Sequence, residues 1–293
     1  MTKTAMITIA GRPNVGKSTL LNALVGEKIA IVSNKPQTTR NRITGVVNRG
    51  ETQFIFMDTP GFHKARTRLG DYMVNVVRQS VADVDAVLLM VEPIANIGTQ
   101  EQMLLDQLRE EHIPTLLLIN KIDTVEKETL LAVIAAYSEA FDFAAVIPLS
   151  AREHQGLDTL LDELDQYAEE GPHLFPEDMN SDQPEKQVVA EIIREKLLWN
   201  LDREIPHGTA VEITRFSERD NGILDVEATI YCEKASHKGI IIGKQGQMLK
   251  KISSQARADI ERFMGMKTYL ETWVKVKENW RDNMNLIRNF GYE

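Results

Sequence analysis

The sequence predicts an α/β domain with a mostly parallel sheet covered by helices on both faces, followed by a smaller α+β domain. Three observations predict it. Short, near-continuous apolar runs alternate with amphipathic segments over the first 170 residues, the pattern of parallel strands buried on both faces and joined by helices. Composition then breaks at Gly171-Pro172-His173-Leu174-Phe175-Pro176, where prolines, acids and amides run on to residue 185. Beyond it, alternating segments suited to a half-buried sheet sit among three amphipathic segments. The expected organisation is residues 1–170, a linker over 171–185, and residues 186–293.

In the first domain, strands are expected over residues 6–10, 52–57, 86–91, 115–120 and 145–149, and helices over 17–25, 69–82, 99–111, 128–141 and 157–168. Residues 44–48 face the strand at 52–57 across the polar Arg49-Gly50-Glu51 and read as an antiparallel edge hairpin. In the second domain, 187–201 is a helix, 210–217 and 223–233 are a hairpin turning at Arg219-Asp220-Asn221-Gly222, and 237–242 leads into a glycine loop. A helix over 247–263, a strand over 269–277 and a short helix over 280–288 complete the chain. No long-period repeat and no low-complexity tract occurs.

The 293 residues carry a net charge of −9, which argues against wholesale nucleic-acid binding. The charge is uneven: residues 234–281 hold 11 Lys+Arg against 4 Asp+Glu, and a local basic surface counts for more than the sum. The single cysteine, Cys232, excludes an intramolecular disulfide framework, fits a reducing compartment and reads as a small buried hydrophobe. The N-terminus has no apolar stretch of signal-peptide length, and no segment approaches the roughly 18 apolar residues of a spanning helix. A cytoplasmic protein is expected, with peripheral membrane contact open.

Two glycine loops carry the chemistry. Gly11-Arg12-Pro13-Asn14-Val15-Gly16-Lys17-Ser18 matches G-x-x-x-x-G-K-[ST] in full, follows an expected strand and opens an expected helix with Thr19. Its backbone N–H groups can cradle phosphate oxygens, the helix N-terminus adds a positive dipole, Lys17 can reach the β- and γ-phosphates, and Ser18 can ligate Mg²⁺. Asp58-Thr59-Pro60-Gly61 ends the next strand. There Asp58 would face Mg²⁺ and the Gly61 N–H the γ-phosphate, although alone the motif is an ordinary turn. Asn120-Lys121-Ile122-Asp123 ends a later strand. The Asp123 carboxylate can accept from guanine N1–H and the 2-amino group, donors that adenine lacks, so it selects guanine. Ser150-Ala151 can hold the base through backbone N–H.

In this order on successive strand ends, the four elements resemble the signature of a P-loop GTPase. Pro36-Gln37-Thr38-Thr39-Arg40-Asn41-Arg42 looks like the first switch region of the bacterial ribosome-associated GTPases. The resemblance implies that Thr39, rather than its neighbour Thr38, ligates Mg²⁺ only with GTP. Lys17, Thr39 and Gly61 are then the residues expected to act on the reacting phosphate. Many GTPases place a glutamine after this Asp-x-x-Gly motif to orient water. Here the residue is Phe62, as in a class with hydrophobic replacement, which implies slow intrinsic turnover by positioning and charge stabilisation. Asn14 either caps its loop or, as in some related GTPases, binds K⁺.

The second loop is Gly243-Lys244-Gln245-Gly246, after the isoleucine run ending at Ile242 and before a helix with Lys250, Lys251 and Arg257. Two glycines at this spacing let a loop lie against a sugar-phosphate backbone, Lys244 supplies charge, and apolar neighbours cover bases. This is the device of a KH module, which clamps about four nucleotides of single strand. The element order resembles the type II KH fold; without RNA it would serve as a dimer or docking module. Trp273, alternating with Val274 and Val276, is expected in the core, and Trp280 is the better stacking candidate, with burial under the terminal helix the alternative. A P-loop GTPase joined to a type II KH domain resembles the Era family, including Glu191-Ile192-Ile193-Arg194-Glu195-Lys196 and Trp273-Val274-Lys275-Val276-Lys277. That likeness implies a monomeric GTPase of small-subunit assembly, binding the 3′ end of 16S ribosomal RNA and associating with the inner face of the membrane. The competing readings are a passive RNA binder stabilised by nucleotide, an ATP-dependent enzyme, which Asp123 opposes, and a tRNA-modifying GTPase, which would need a further catalytic cluster.

Overall fold

The computed structural model describes residues 1–62, 67–81 and 84–292. Contacts divide the chain into two units, the first holding residues 1–30, 39–66 and 70–182 and the second 31–38, 67–69 and 183–293.

The first unit is built on β1 (Lys3–Gly11), β2 (Ile43–Arg49), β3 (Thr52–Asp58), β4 (Ala86–Val91), β5 (Thr115–Ile119), β6 (Ala145–Pro148) and the two-residue β7 (Glu169–Glu170). The strand order is β2-β3-β1-β4-β5-β6, with β7 paired to the start of β1. The strands from β3 through β6 run parallel, and β2 is antiparallel to β3 at the edge. Alternate residues of β4 explain why the strands read as continuous apolar runs. Ala86, Leu88 and Met90 join one core cluster with Leu20 and Leu21 of α1 (Lys17–Val25) and Leu160 and Leu164 of α5 (Leu157–Leu164). Val87, Leu89 and Val91 join another. That second cluster contains Val81 of α2 (Arg68–Val81), Leu104, Leu105 and Leu108 of α3 (Thr99–Glu111), and Val133 and Tyr137 of α4 (Lys127–Ala140). Each fully buried aliphatic side chain contributes about 1.5–3 kcal/mol. The expected end of the second helix, Ala82, lies outside the described residues.

Residues 172–182, expected in the linker, pack within this first unit. The Val46 N–H donates to the Asn180 carbonyl at 2.9 Å, Ser181 Oγ to Thr44 O at 2.7 Å, and Asn48 Nδ2 to Glu177 O at 3.0 Å. The backbone of β2 would otherwise lie open at the sheet edge, and this segment covers it.

The second unit contains α6 (Glu185–Asn200), β8 (Ala210–Glu218), β9 (Leu224–Cys232), α7 (Ala235–Ile242), α8 (Gln247–Met264), β10 (Thr268–Val276) and α9 (Met284–Asn289). Its sheet has the order β10-β9-β8. β8 and β9 are antiparallel, with a register irregularity between Ile213 and Arg215, while β9 and β10 are parallel. A parallel pair needs a crossover, which α7 and α8 supply. Val189, Ile193 and Leu197 of α6, Val226, Ala228 and Ile230 of β9 and Ile252, Ala256 and Ile260 of α8 share one core.

Candidate functional site

The nucleotide motifs lie at the carboxyl ends of parallel strands. The chain moves from β1 to β3 on one side and later to β4 on the other, so the crevice opens at the end of β1, where open α/β sheets bind ligands. Gly16, at φ 107°, closes the loop against Asn120. A Cβ there would lie 2.2 Å from Asn120 Nδ2, so no other residue fits.

Lys17 is buried, and its ammonium donates to the carbonyls of Gly11 at 3.2 Å and Arg12 at 3.0 Å. Ser18 Oγ donates to Asp58 Oδ2 at 2.6 Å and lies 2.8 Å from Thr39 Oγ1, which is 3.4 Å from the same carboxylate oxygen. Burial lowers the Lys17 pKa to about 8 despite the opposing charge of Asp58. Burial raises that of Asp58 to about 6, against the pull of Lys17 and the bonds from Ser18 and Thr39. Among the described residues, Asp58 Oδ1 is buried with no hydrogen-bond partner. Two hydroxyls and a carboxylate with one unsatisfied oxygen form the hard oxygen set that suits Mg²⁺. Thr59 Oγ1 donates to Ile9 O at 2.9 Å, tying the turn that continues through Pro60 and Gly61 to β1. The Phe62 N–H donates to Gly11 O at 3.1 Å and its ring is buried; residues 63–66, which follow it, lie outside the described residues.

Asn120 joins three motifs. Its Nδ2 donates to Val15 O at 2.7 Å and its Oδ1 accepts from the Ala151 N–H at 3.0 Å. That N–H, expected to face the base, is therefore already engaged by Asn120. Lys121 Nζ donates to Asn14 O at 2.9 Å and to Glu92. Asp123 is exposed, and its Oδ1 accepts from Ser150 Oγ at 2.6 Å, which orients the carboxylate. Sequence reasoning missed the positioning of Arg12. Its Nε lies 2.9 Å from Glu101 Oε1, and that carboxylate also takes bonds from the Gly98 N–H and Tyr137 Oη. The only signal was a glutamate in the first turn of a helix. Pro13 and Thr19 are half-buried and Asn14 is exposed.

In the second unit, α7 ends at Gly243, whose N–H caps onto Gly239 O at 2.9 Å. Gly243 has φ 72° and a Cβ there would meet Met248 Cβ at 2.7 Å. Lys244 to Gly246 make one tight turn, and Gly246 begins α8. Lys244, Gln245, Lys250, Lys251 and Arg257 are exposed, as is Ile240, while Ile242 is half-buried against the core. Lys250 and Arg257, two turns apart, share one face of α8.

Of the two tryptophans, Trp273 departs from its expected place in the core, and Trp280 takes the burial that was the open alternative to stacking. Trp273 is 55% exposed, because its alternation on β10 puts it opposite Val274, which faces the core. Trp280 is fully buried: its Nε1 donates to Gly208 O at 2.9 Å and its ring meets Phe290 edge-on at 5.3 Å. The indole N–H found a backbone acceptor inside the fold, which makes complete burial tolerable.

Residues 6–121 match the family of 50S ribosome-binding GTPases, and residues 204–281 match the KH domain. The chain is 53% identical over 291 residues to GTPase Era of Ruminiclostridium cellulolyticum, covering 99% of this chain and 98% of that one. It is 52% identical over 293 residues to GTPase Era of Clostridium kluyveri, covering both completely. Among solved structures, a point variant of Aquifex aeolicus Era bound to GDP·AlF4⁻ matches with a TM-score of 0.95 at 37% identity, covering 99% of each chain. Era in complex with MgGDPNP and nucleotides 1506–1542 of 16S ribosomal RNA matches with a TM-score of 0.96 at 37% identity, covering 100% of this chain and 99% of that one. With both domains and the full length accounted for, the chain is a GTPase with a KH domain and belongs to the Era family.

Proposed function

We propose that this GTPase uses Mg²⁺ and GTP to control its hold on the 3′ end of 16S ribosomal RNA during assembly of the small ribosomal subunit. The observation that carries the switch is the meeting of Thr39, Ser18 and Asp58 beside Lys17. Thr39 comes from a loop and the other two from the ends of regular elements, so one hydroxyl of the metal set can leave without disturbing the sheet. Ser18, Thr39 and Asp58 are the residues that would hold Mg²⁺, which when bound neutralises charge on the phosphates. Lys17 places a desolvated positive charge at the phosphate loop. Gly61 offers its N–H to the γ-phosphate, and Asp123, steadied by Ser150, reads guanine. Phe62 brings no hydrogen-bonding group, so slow turnover follows. The exposed Lys244 and Gln245 at the loop, with Lys250, Lys251 and Arg257 on α8, provide the contact with RNA. The ribosomal target is supported by the complex of the similar Era structure with 16S ribosomal RNA.

Ordering of the segments near residues 34–45 and 58–72 by the γ-phosphate is the proposed switch, and the protein acts as a monomer. Among the described residues no helix is long and apolar enough to cross a membrane; peripheral association at the inner membrane face is a separate proposal, checked by sedimentation with anionic lipid vesicles. The deciding experiment is anisotropy of a labelled RNA carrying the 16S 3′-terminal sequence, with GDP and with a non-hydrolysable GTP analogue. Tighter binding with the analogue is expected, and equal affinities would refute the coupling.

A further inference from the structure

Residues 31–38 are held by α6 and the residues just after it, through backbone groups at Val32, Gln37 and Thr38 and through the Lys35 side chain. The Val32 N–H donates to Glu195 Oε1 at 2.9 Å, and the Val32 carbonyl accepts from Trp199 Nε1 at 3.0 Å. Lys35 Nζ donates to the Leu201 carbonyl and pairs with Asp202 at 3.4 Å. The Arg194 guanidinium reaches the carbonyls of Gln37, at 3.4 Å, and Thr38. The segment packs as part of the second unit, although it lies in the first domain's stretch of sequence.

The grip is braced. Glu191 takes two bonds from Arg194, through Nε at 2.8 Å and through a second guanidinium nitrogen, which aims the fork. The second carboxylate oxygen of Glu195 accepts from Lys196 Nζ at 2.7 Å, and Lys196 in turn pairs with Asp259 of α8 and lies 3.6 Å from the centre of the Trp199 ring. Arg194, Glu195 and Lys196 are consecutive on a helix, yet each is no more than 1% exposed. Burying three charges in a row is costly unless each is paired. Here Arg194 is paired with Glu191, Glu195 with Lys196 and Lys196 also with Asp259, and the remaining bonds go to the backbone of residues 32–38. Buried charge-assisted bonds hold geometry well because breaking one leaves a desolvated charge.

The chain leaves this grip at Thr38, and the next residue is Thr39, whose hydroxyl stands 2.8 Å from Ser18 Oγ. One peptide unit fixes consecutive Cα atoms about 3.8 Å apart, so the held Thr38 carbonyl sets where the Thr39 backbone begins. We propose that Arg194, Glu195 and Trp199 are positioning residues for GTP hydrolysis: they hold residues 32–38 so that the Thr39 hydroxyl is presented at Ser18 and Asp58. This rests on the reading of Thr39 as the ligand that engages with GTP and not with GDP. It adds which side chains set the hydroxyl's place and predicts that they act only through it.

The experiment compares full-length Arg194→Lys, which keeps the charge and loses the fork, with Trp199→Phe, which keeps a ring beside Lys196 and loses the N–H. Trp199 is 53% exposed, so the second variant folds even if the first does not. Each is made alone and with Thr39→Ala. Losing a charge-assisted bond lowers kcat about tenfold in Arg194→Lys, and losing a neutral one lowers it about threefold in Trp199→Phe. GDP affinity stays within about twofold of wild type, and amide hydrogen exchange over residues 31–38 rises in the nucleotide-free protein. In the Thr39→Ala background neither variant lowers kcat further. Wild-type turnover by Thr39→Ala would overturn the reading of Thr39 itself. A normal Thr39→Ala loss, with clamp variants that turn over like wild type or with losses that multiply in the double variants, overturns the positioning role alone.

Discussion

Replacing Asn120 by alanine tests whether the nucleotide site is held together from its centre. The amide is 3% exposed and makes two bonds to backbone, to Val15 O at 2.7 Å and from the Ala151 N–H at 3.0 Å. The bond to Val15 contributes about 1 kcal/mol net, and leaving the buried Ala151 N–H unpaired costs about 1–3 kcal/mol. The expected loss is therefore about 3 kcal/mol, shared between the stability of the nucleotide-free protein and the placement of the phosphate loop against the base-binding turn. Because 1.4 kcal/mol is about tenfold, titration calorimetry of GDP with Asn120→Ala should give an affinity about a hundredfold below wild type, less whatever part urea unfolding assigns to stability. Asn120→Asp keeps the acceptor for Ala151 and turns the donor toward Val15 into a second acceptor, so it should lose affinity at least as severely. If Asn120→Ala unfolded earlier in urea yet bound GDP with wild-type affinity, the amide would only stiffen the fold and the argument for a joint between the motifs would fail.

Three further outcomes are expected. Asp123→Asn should exchange preference from GTP to xanthosine triphosphate in a competition assay, because the amide can donate where the carboxylate could only accept. K⁺ should stimulate GTP hydrolysis more than Na⁺, with Asn14→Ala abolishing the difference; equal rates in the two salts of the wild-type protein would remove the potassium proposal. In the metal- and nucleotide-free protein, Asp58 has a folded pKa of about 6 above its ordinary 3.8, so its burial is a destabilising charge above pH 6 that is relieved as pH falls toward 4. Lys17, lowered from 10.5 to about 8, carries its full penalty below pH 8 and is relieved as pH rises from 8 toward 10.5. Both penalties coincide between pH 6 and 8, and thermal unfolding with and without Mg·GDP should show the largest stabilisation by ligand in that window.

The nucleotide end was legible because its chemistry requires residue types at fixed spacing on successive strand ends. Gly16 cannot be replaced beside Asn120, Lys17 and Ser18 must follow it, and Asp58 must end the neighbouring strand. The sequence could not show that Ser150 works through its hydroxyl on Asp123, or that Glu101 seats Arg12. Those partners are brought together by tertiary packing from 27 and 89 residues away; Ser150 stands in a motif read only for its backbone, and Glu101 stands in none. The outward turn of Trp273 has another cause. Alternation on a strand states only that neighbouring residues face opposite sides, and assigning the side requires knowing what covers it. Val274 was the one facing the helices, so Trp273 fell outward.

Residues 31–38 lie between α1 and β2 in sequence, within the stretch expected to form the first domain, yet they pack with the second unit. Their partners on α6 lie more than 150 residues away, so sequence order alone does not pair them. Placed together, backbone groups of the loop and the run of charges satisfy one another, and the charges are buried. A helix carrying three successive charges with apolar residues on either side of the run (Ile192 and Ile193 before it, Leu197 and Leu198 after it) leaves little room for a purely solvated face. Read that way, the run points to a partner rich in backbone donors and acceptors. The helix meets backbone groups on both sides of the Val32 peptide pair and stops at Thr38. The first residue beyond its reach is the one whose hydroxyl meets Ser18 and Asp58.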